Sequence, residues 1–308
     1  MGRQLFKRLG IVLKPNPEVY WERFEVFNPG VVYDKKEGIV HMFYRAIGDY
    51  LWYTSRIGWA ISEDFIHFKR VSKEPILYPT NDKDWFGVED PRVTEIDGKG
   101  YVMTYTSLDK RRRYRVGIAV AKKLEGKEPF RKLGVNHISK NKDAAMFRAN
   151  GHIYVAHRPE KLFGRPSIWI SKVEDSKLNI WKEHKLVLRP VYEWENFKVG
   201  LGPPPILTEE GYLVIYHGVQ RPKIYRVGLA LLSKRNPREV IARVPYPVME
   251  PKEWYERYLD VPFVVFPTGA ILVDDELYLY YGAGDTVIAL AKARIDELLY
   301  ELDKNRVE

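Results

Sequence analysis

Short runs of apolar, β-branched and aromatic residues recur along the chain, separated by turns rich in Gly, Asp and Asn. Runs of this length and composition predict strands rather than helices. They fall into five versions of one unit: a strand, a turn, an aromatic strand, then a strand of small and apolar residues. The copies are "PGVVYDKKEGIVHMFYRA" with "IGWAIS", "PRVTEIDGKGYVMTYTS" with "VGIAVA", "DAAMFRANGHIYVAHRP" with "SIWIS", "PPILTEEGYLVIYHGV" with "VGLALL", and "TGAILVDDELYLYYGAG" with "VIALAKA". The second strands end near Tyr44, Tyr105, Ala156, Tyr216 and Tyr280. Five such units predict an all-β fold, a five-bladed β-propeller that occupies residues 1–308 as one domain. Radial closure removes the open edges that so many strands would otherwise expose. One segment breaks the pattern. "ARIDELLYELDKN", 293–305, sets Ile295, Leu298, Leu299 and Leu302 on one helical face, which predicts a short C-terminal helix packed on the propeller or on a partner subunit of a homo-oligomer.

Composition narrows the picture. Hydrophobic residues make up 45% of the 308 and aromatics 14%, enough for a sizeable core and too many for disorder. The chain has no cysteine, which excludes disulfides, thiolate metal sites and a cysteine nucleophile, and suits a cytoplasmic protein. The apolar run Leu9 to Leu13 is too short for a signal peptide, and no stretch reaches the ~20 apolar residues that span a bilayer. Net charge is +9, densest in "DKRRRYR", 109–115. With charge spread along the chain, that run reads as a solvated hairpin loop or a general attraction for anionic substrates, not a nucleic-acid site. Abundant Lys, Arg and Glu without Cys also fits a thermophile.

In a propeller the first strand of each unit lines the axis, so the mouths of these strands converge. Asn28-Pro29, Asp90-Pro91, Lys142-Asp143, Pro203-Pro204 and Pro267-Thr268 would meet there, with Arg45, Thr106, Arg158 and His217 leaving the second strands. Such convergence makes a polar ligand site. In "GVEDPR", 87–92, Asp90 could be a turn carboxylate ahead of Pro91, and Glu89 an ion-pair partner of Arg92. An axial position beside a like charge instead favours a general acid, with burial and Glu89 expected to raise its pKa. Arg158, Lys198 and His217 each have ordinary readings as solvated or core residues. Together, with Lys140 nearby in sequence, they would form an oxyanion site. "GAGDTV", 282–287, lacks the glycines and βαβ context of a dinucleotide loop, and metalloprotease, P-loop and nucleophile-elbow motifs do not occur.

At these residues the chain resembles glycoside hydrolase family 130, the β-mannoside phosphorylases and β-mannosidases. The matching stretches are "FNPG" (27–30), "YRA" (44–46), "GVEDPR" (87–92), "MTYT" (103–106), "NKDA" (141–144), "HRP" (157–159), "GPPP" (202–205), "YHGV" (216–219), "VFPTGA" (265–270) and "YGAGDT" (281–286). The resemblance implies an enzyme, a glycosyltransferase acting as a glycoside phosphorylase, that inverts at the anomeric carbon. Asp90 would be the sole carboxylic acid catalyst, reaching the leaving oxygen through the mannose 3-hydroxyl. Asn28, Arg45, Asp90 and Asp285 would hold mannose; Lys140, Asn141, Arg158, Lys198 and His217 would hold phosphate. Lys140 stands where phosphorylases typically carry Arg, which keeps the charge and loses the bidentate fork. "GLGPPP" has Leu201 where a third glycine is more usual.

The implied reaction is phosphorolysis of a β-linked mannoside to α-mannose 1-phosphate. Its partners are the mannoside and inorganic phosphate, with no metal, other cofactor, nucleic acid or membrane. The alternatives are a hydrolase of the same family and a non-catalytic glycan-binding propeller. Linkage, acceptor sugar, chain length and oligomeric state are open at this stage.

Overall fold

The structure is a computed structural model that describes residues 4–160 and 164–307. Strands dominate it, with a one-turn helix Trp254–Arg257, a 3₁₀ turn Glu193–Glu195 and a terminal helix Ile295–Asp303. All five expected aromatic strands form: Ile39–Ile47, Gly100–Leu108, His152–Pro159, Tyr212–Gln220 and Glu276–Ala283. Each pairs antiparallel with the strand before it and the strand after it. Hydrogen bonding groups the strands into four sheets. The eight-stranded one joins two antiparallel sets through a single parallel pairing, Ser55 with Gly87.

Packing follows the repeat. Phe43 and Ile57 of the first set pack with Val88 and Met103 of the second. Ile96 and Val116 then meet Met146 and Val155, and Phe147 and Ala156 meet Val199 and Val214. Leu213 and Leu229 meet Leu279 and Ala289, and Val31 and Met42 meet Ile271 and Leu290, so the last set lies against the first. Each buried side chain of this size contributes about 1.5–3 kcal/mol, so every seam between sets is a core in its own right. The N-terminal strand Lys7–Leu13 pairs with Val287–Arg294 near the other end of the chain.

A second repeat lies in the polar core. Tyr44, Tyr216 and Tyr281 donate their hydroxyls to the buried carboxylates of Glu22, Glu195 and Glu256, at 2.6, 2.9 and 2.8 Å. Arg70, Arg243 and Arg8 pair with the same three carboxylates. The Glu follows an aromatic residue each time, in "YWERF", "YEWENF" and "EWYERY". Burying a carboxylate is costly unless it is paired and hydrogen-bonded, and each of these has both kinds of partner.

The inner strands share a break at one height. Register shifts fall between Phe27 and Gly30, Glu89 and Arg92, Lys142 and Ala145, and Pro267 and Gly269. In the fourth set, Lys198–Leu201 and Ile206–Leu207 flank the residues "GPPP" instead. Asn28, Asp90 and Asp143 take left-handed φ values of 49°, 50° and 50°. Asn and Asp tolerate that region better than other side chains, and proline is accommodated where the ladder needs no N–H. These positions are therefore bulges inside strands, not turns at strand mouths: Gly87–Ile96 begins three residues ahead of Asp90. A bulge re-aims the side chain it carries. Gly30 shows how tightly the inner strands approach: a Cβ there would lie 2.7 Å from the Pro91 carbonyl oxygen.

The C-terminal helix buries Leu298 and Leu302, with Ile295 and Leu299 beside them, against the core shared by the last two sets. "DKRRRYR" is a hairpin turn in which Asp109 accepts the N–H groups of Arg111 and Arg113, as a solvated loop would. Among the described residues, no helix is long and apolar enough to cross a membrane.

Candidate active site

The bulged ends of the inner strands surround a cavity of ≈ 230 Å³ lined by Asn28, Arg45, Asp90, Lys142, Arg158, Lys198 and Asp285, with Lys223, Tyr225, Val261, Val264 and Phe266 completing the wall. A wider surface groove of ≈ 760 Å³ beside Lys122 and Glu128 has no such gathering of buried charge. The lining is bipolar.

On the acidic side, Asn28 Nδ2 donates to Asp90 Oδ1 at 2.8 Å. Arg45 spans the acid pair, with Nη1 at 3.2 Å from Asp90 Oδ1 and Nη2 at 3.2 Å from Glu89 Oε1. Phe27 backs the guanidinium, whose Cζ lies 4.6 Å from the ring centroid. This answers the repulsion between adjacent carboxylates: one guanidinium bridges both. Arg92, suggested by sequence as the partner of Glu89, turns away and donates to the carbonyls of Gly202 and Leu201.

The expected rise in the Asp90 pKa is not found. Burial pushes it up, but Arg45, Lys142 and Arg92, together with the Asn28 hydrogen bond, outweigh burial and hold it below the usual carboxylate value. The shared Arg45 clamp is why the neighbouring Glu89 does not prevail. Asp285 behaves the opposite way: burial, then repulsion from Asp90 and Asp260, raise it to about 6 against the pull of Arg45. Burial likewise lifts Glu25 to about 7, despite a 2.7 Å hydrogen bond from Tyr53.

On the basic side, Arg158 is fully buried, with Nε 2.6 Å from Asp143 Oδ2 and Nη1 2.8 Å from Glu160 Oε1. Against the opposing effect of burial, Arg158 and Arg92 hold the Asp143 carboxyl well below its usual range. Burial, with Arg158, Lys198 and Arg92 adding to it, keeps His217 neutral despite the nearby Asp143 carboxylate. His217 therefore offers a hydrogen bond, not a charge. Burial and repulsion by Arg158 and Lys142 lower Lys198 to about 8. Asn141 faces neutral His157, whose Nδ1 lies 3.2 Å from Asn141 Oδ1 and whose far nitrogen meets Ser171 Oγ at 2.8 Å.

Six sequence-derived candidates line the cavity: Asn28, Arg45, Asp90, Arg158, Lys198 and Asp285. Asn141 and His217 are buried residues of the same strand ends and do not contribute to the lining. Lys140 is half-buried at φ 54°, its N–H donated to the Tyr114 carbonyl, and Lys142 occupies the wall instead. Sequence reasoning placed Lys142 and Asp143 at the convergence without giving them a role, and missed Lys223, Tyr225 and Phe266. Asp143 is the counterpart of Asn28 and Asp90, with the same left-handed backbone.

Among the described residues, Asn28 Oδ1, Asn141 Nδ2, Asp143 Oδ1, both ring nitrogens of His217 and Thr268 Oγ1 are buried without a hydrogen-bond partner. Buried polar groups are nearly always bonded. Of these residues Asn28 lines the cavity, and the other four lie on the strands behind it.

Glu25 gives the site a measurable pH signature. Its folded-state pKa of about 7 lies above its ordinary value of 4.5, so folding is favoured by its protonated form. Stability should fall as pH rises from the lower value to the higher, by roughly 1.4 kcal/mol per pH unit, and level off above. Thermal melts of Glu25→Gln should show a shallower decline than the parent across that window. Parallel curves would remove Glu25 as the cause.

The model of the glycoside hydrolase 130 family, described as beta-1,4-mannooligosaccharide phosphorylase, matches residues 4–304. A 1,2-beta-oligomannan phosphorylase of Thermoanaerobacter sp. is 39% identical over 299 residues, covering 94% of this chain and 96% of the relative. A beta-1,2-mannobiose phosphorylase of Listeria innocua is 36% identical over 260 residues, 82% of this chain and 70% of that protein. The solved beta-1,2-mannobiose complex of the Listeria innocua phosphorylase superposes with a TM-score of 0.84 at 28% identity, covering 98% of this chain and 99% of that one. With the family model matching residues 4–304 and a relative 39% identical across 94% of the chain, the chain belongs to glycoside hydrolase family 130.

Proposed function

We propose that the protein is an inverting β-mannoside phosphorylase that releases α-mannose 1-phosphate, built on a five-bladed propeller and working in the cytoplasm. Five antiparallel sets joined by five apolar seams, the last against the first, support the blade count. The bipolar cavity carries the functional reading. Arg158, Lys198 and Lys142 gather opposite the Arg45-clamped acid pair, which suits a phosphate and a sugar side by side.

In this reading mannose sits against Asn28, Arg45, Asp90 and Asp285, and phosphate against Arg158, Lys198 and Lys142 with His217 and Asn141 behind. Protonated Asp90 donates through the mannose 3-hydroxyl to the glycosidic oxygen as the C–O bond breaks. A phosphate oxygen bonds to the anomeric carbon from the opposite face, inverting it. The proton lost from hydrogen phosphate restores Asp90, so the cycle balances with one carboxyl group. Phosphate is already an anion, so the second carboxylate that usually activates water is unnecessary. Asp90 is ionised in the empty site because Arg45, Lys142 and Arg92 surround it. An arriving phosphate offsets that positive field and favours proton uptake.

The test is incubation with β-1,2- and β-1,4-mannobiose, with and without phosphate, with products followed by NMR. Cleavage that requires phosphate and yields α-mannose 1-phosphate is expected. Free mannose formed at the same rate without phosphate would establish hydrolysis instead.

A further inference from the structure

The basic run 109–115 contains a tyrosine that reaches the cationic side of the cavity. Tyr114 opens the strand Tyr114–Ala121 and pairs with Leu108 across the hairpin. Its hydroxyl donates to Glu160 Oε2, and Glu160 Oε1 accepts Arg158 Nη1 at 2.8 Å. Its ring lies under Lys142, whose Nζ is 5.6 Å from the centroid. Its carbonyl accepts the Lys140 N–H at 2.9 Å, and the Lys140 carbonyl accepts the Glu160 N–H at 2.8 Å. A single residue of the second strand set thus holds a carboxylate, an ammonium and the backbone beside them in the third.

The hairpin anchors Tyr114. Asp109 pairs with the Arg113 guanidinium at 2.8 Å and accepts backbone N–H groups across the turn. The Arg112 Cζ lies 4.3 Å from the Phe86 centroid, and Lys110 pairs with Asp82, which ties the turn to the loop ahead of the Asp90 strand. Arg158 is gripped on two sides, by Asp143 at Nε and by Glu160 at Nη1. Glu160 is the looser of the two carboxylates, its side chain 30% exposed where that of Asp143 is fully buried. Against burial, the Tyr114 hydrogen bond and then Arg158 and Lys142 hold Glu160 below its usual carboxylate value, so it is an anion. A carboxylate free to swing beside Arg158 and Lys142 would compete with phosphate for their N–H donors.

We propose that Tyr114 is a positioning residue of the phosphate site. Its hydroxyl fixes the Glu160 carboxylate on one edge of Arg158, which orients the guanidinium and leaves its remaining N–H groups to the anion. Its ring seats the Lys142 ammonium by cation–π attraction. Arg158 and Lys142 line the cavity and Tyr114 does not, so it acts through them and touches no substrate. The proposal rests on the phosphorolysis reading above and adds the residue that sets its anion site. A bond that merely knitted two strand sets together would contribute to stability without converging on these two cations.

The experiment titrates inorganic phosphate into the full chain by calorimetry and follows phosphorolysis with each substrate varied in turn. Tyr114→Phe keeps every charge and the ring under Lys142, and removes only the hydroxyl. Phosphate affinity should weaken and the phosphate KM rise roughly three- to tenfold, with the mannoside KM changed by less than about twofold. Tyr114→Leu, which also removes the ring face, should weaken phosphate by roughly two- to fivefold more. In a Glu160→Gln background, Tyr114→Phe should alter phosphate affinity by less than about twofold, because the carboxylate it restrains is gone. Unchanged phosphate affinity in Tyr114→Phe, or equal rises in both KM values, would overturn the proposal. Tighter phosphate binding would do the same, by showing that the hydroxyl holds Glu160 in the way of the anion. A parent protein that binds no phosphate would overturn the phosphorylase reading and this proposal with it, a result distinct from a parent and a Tyr114→Phe variant that bind phosphate equally well.

Discussion

Asp90→Asn should lower phosphorolytic turnover by about 10²–10⁴-fold, the usual contribution of a positioned general acid, while the fold survives. The carboxamide cannot release a proton, yet its oxygen can still accept from Asn28 Nδ2 and Arg45, which now bond Asp90 Oδ1. Arg45 also keeps Glu89, so no buried cation is orphaned. The bulge itself depends on the left-handed backbone, φ 50°, which Asn tolerates as readily as Asp. Initial rates and thermal melts on the same preparation check both halves. Activity within a few-fold of the parent would remove Asp90 from the chemistry; a collapsed melting temperature would show that its role is structural.

The strands and their order were legible in the chain because each is a short aromatic or β-branched run closed by a turn. The C-terminal helix was legible for a similar reason: Ile295, Leu298, Leu299 and Leu302 share one face, and that face is the one it buries. The bulges were harder. Asn28-Pro29 and Asp90-Pro91 look like turns, and only cross-strand register shows that pairing resumes on both sides of them. Lys140 was expected from the resemblance, whereas Lys142, which the strand-mouth reading had placed there without a role, lines the cavity. Charge state was least legible of all. Two adjacent acids suggested a raised Asp90 pKa, but its value is set by Arg45, forty-five residues away in sequence. Sequence spacing carries no information on which charge finds which partner across separate sheets.

Lys198→Ala should raise the KM for phosphate by one to two orders of magnitude and change that for the mannoside far less. A charge-assisted hydrogen bond to a phosphate oxygen contributes about 1.5–3 kcal/mol, and about 1.4 kcal/mol corresponds to tenfold in affinity. Lys198 suits this test because, among the described residues, it makes no ion pair within 4 Å, and Asp143 keeps Arg158 when it is removed. Arg158 behaves differently. Its guanidinium is shared between Asp143 and Glu160, so Arg158→Ala leaves Asp143 buried with Arg92 at 3.6 Å and a neutral His217. Removing one partner of a buried pair costs about 3–5 kcal/mol, so that variant should lose stability as well as phosphate affinity. Steady-state kinetics with each substrate varied in turn, alongside thermal melts, separate the two. An unchanged phosphate KM in Lys198→Ala would take Lys198 out of the anion site. Equal rises in both KM values would instead place it against the sugar.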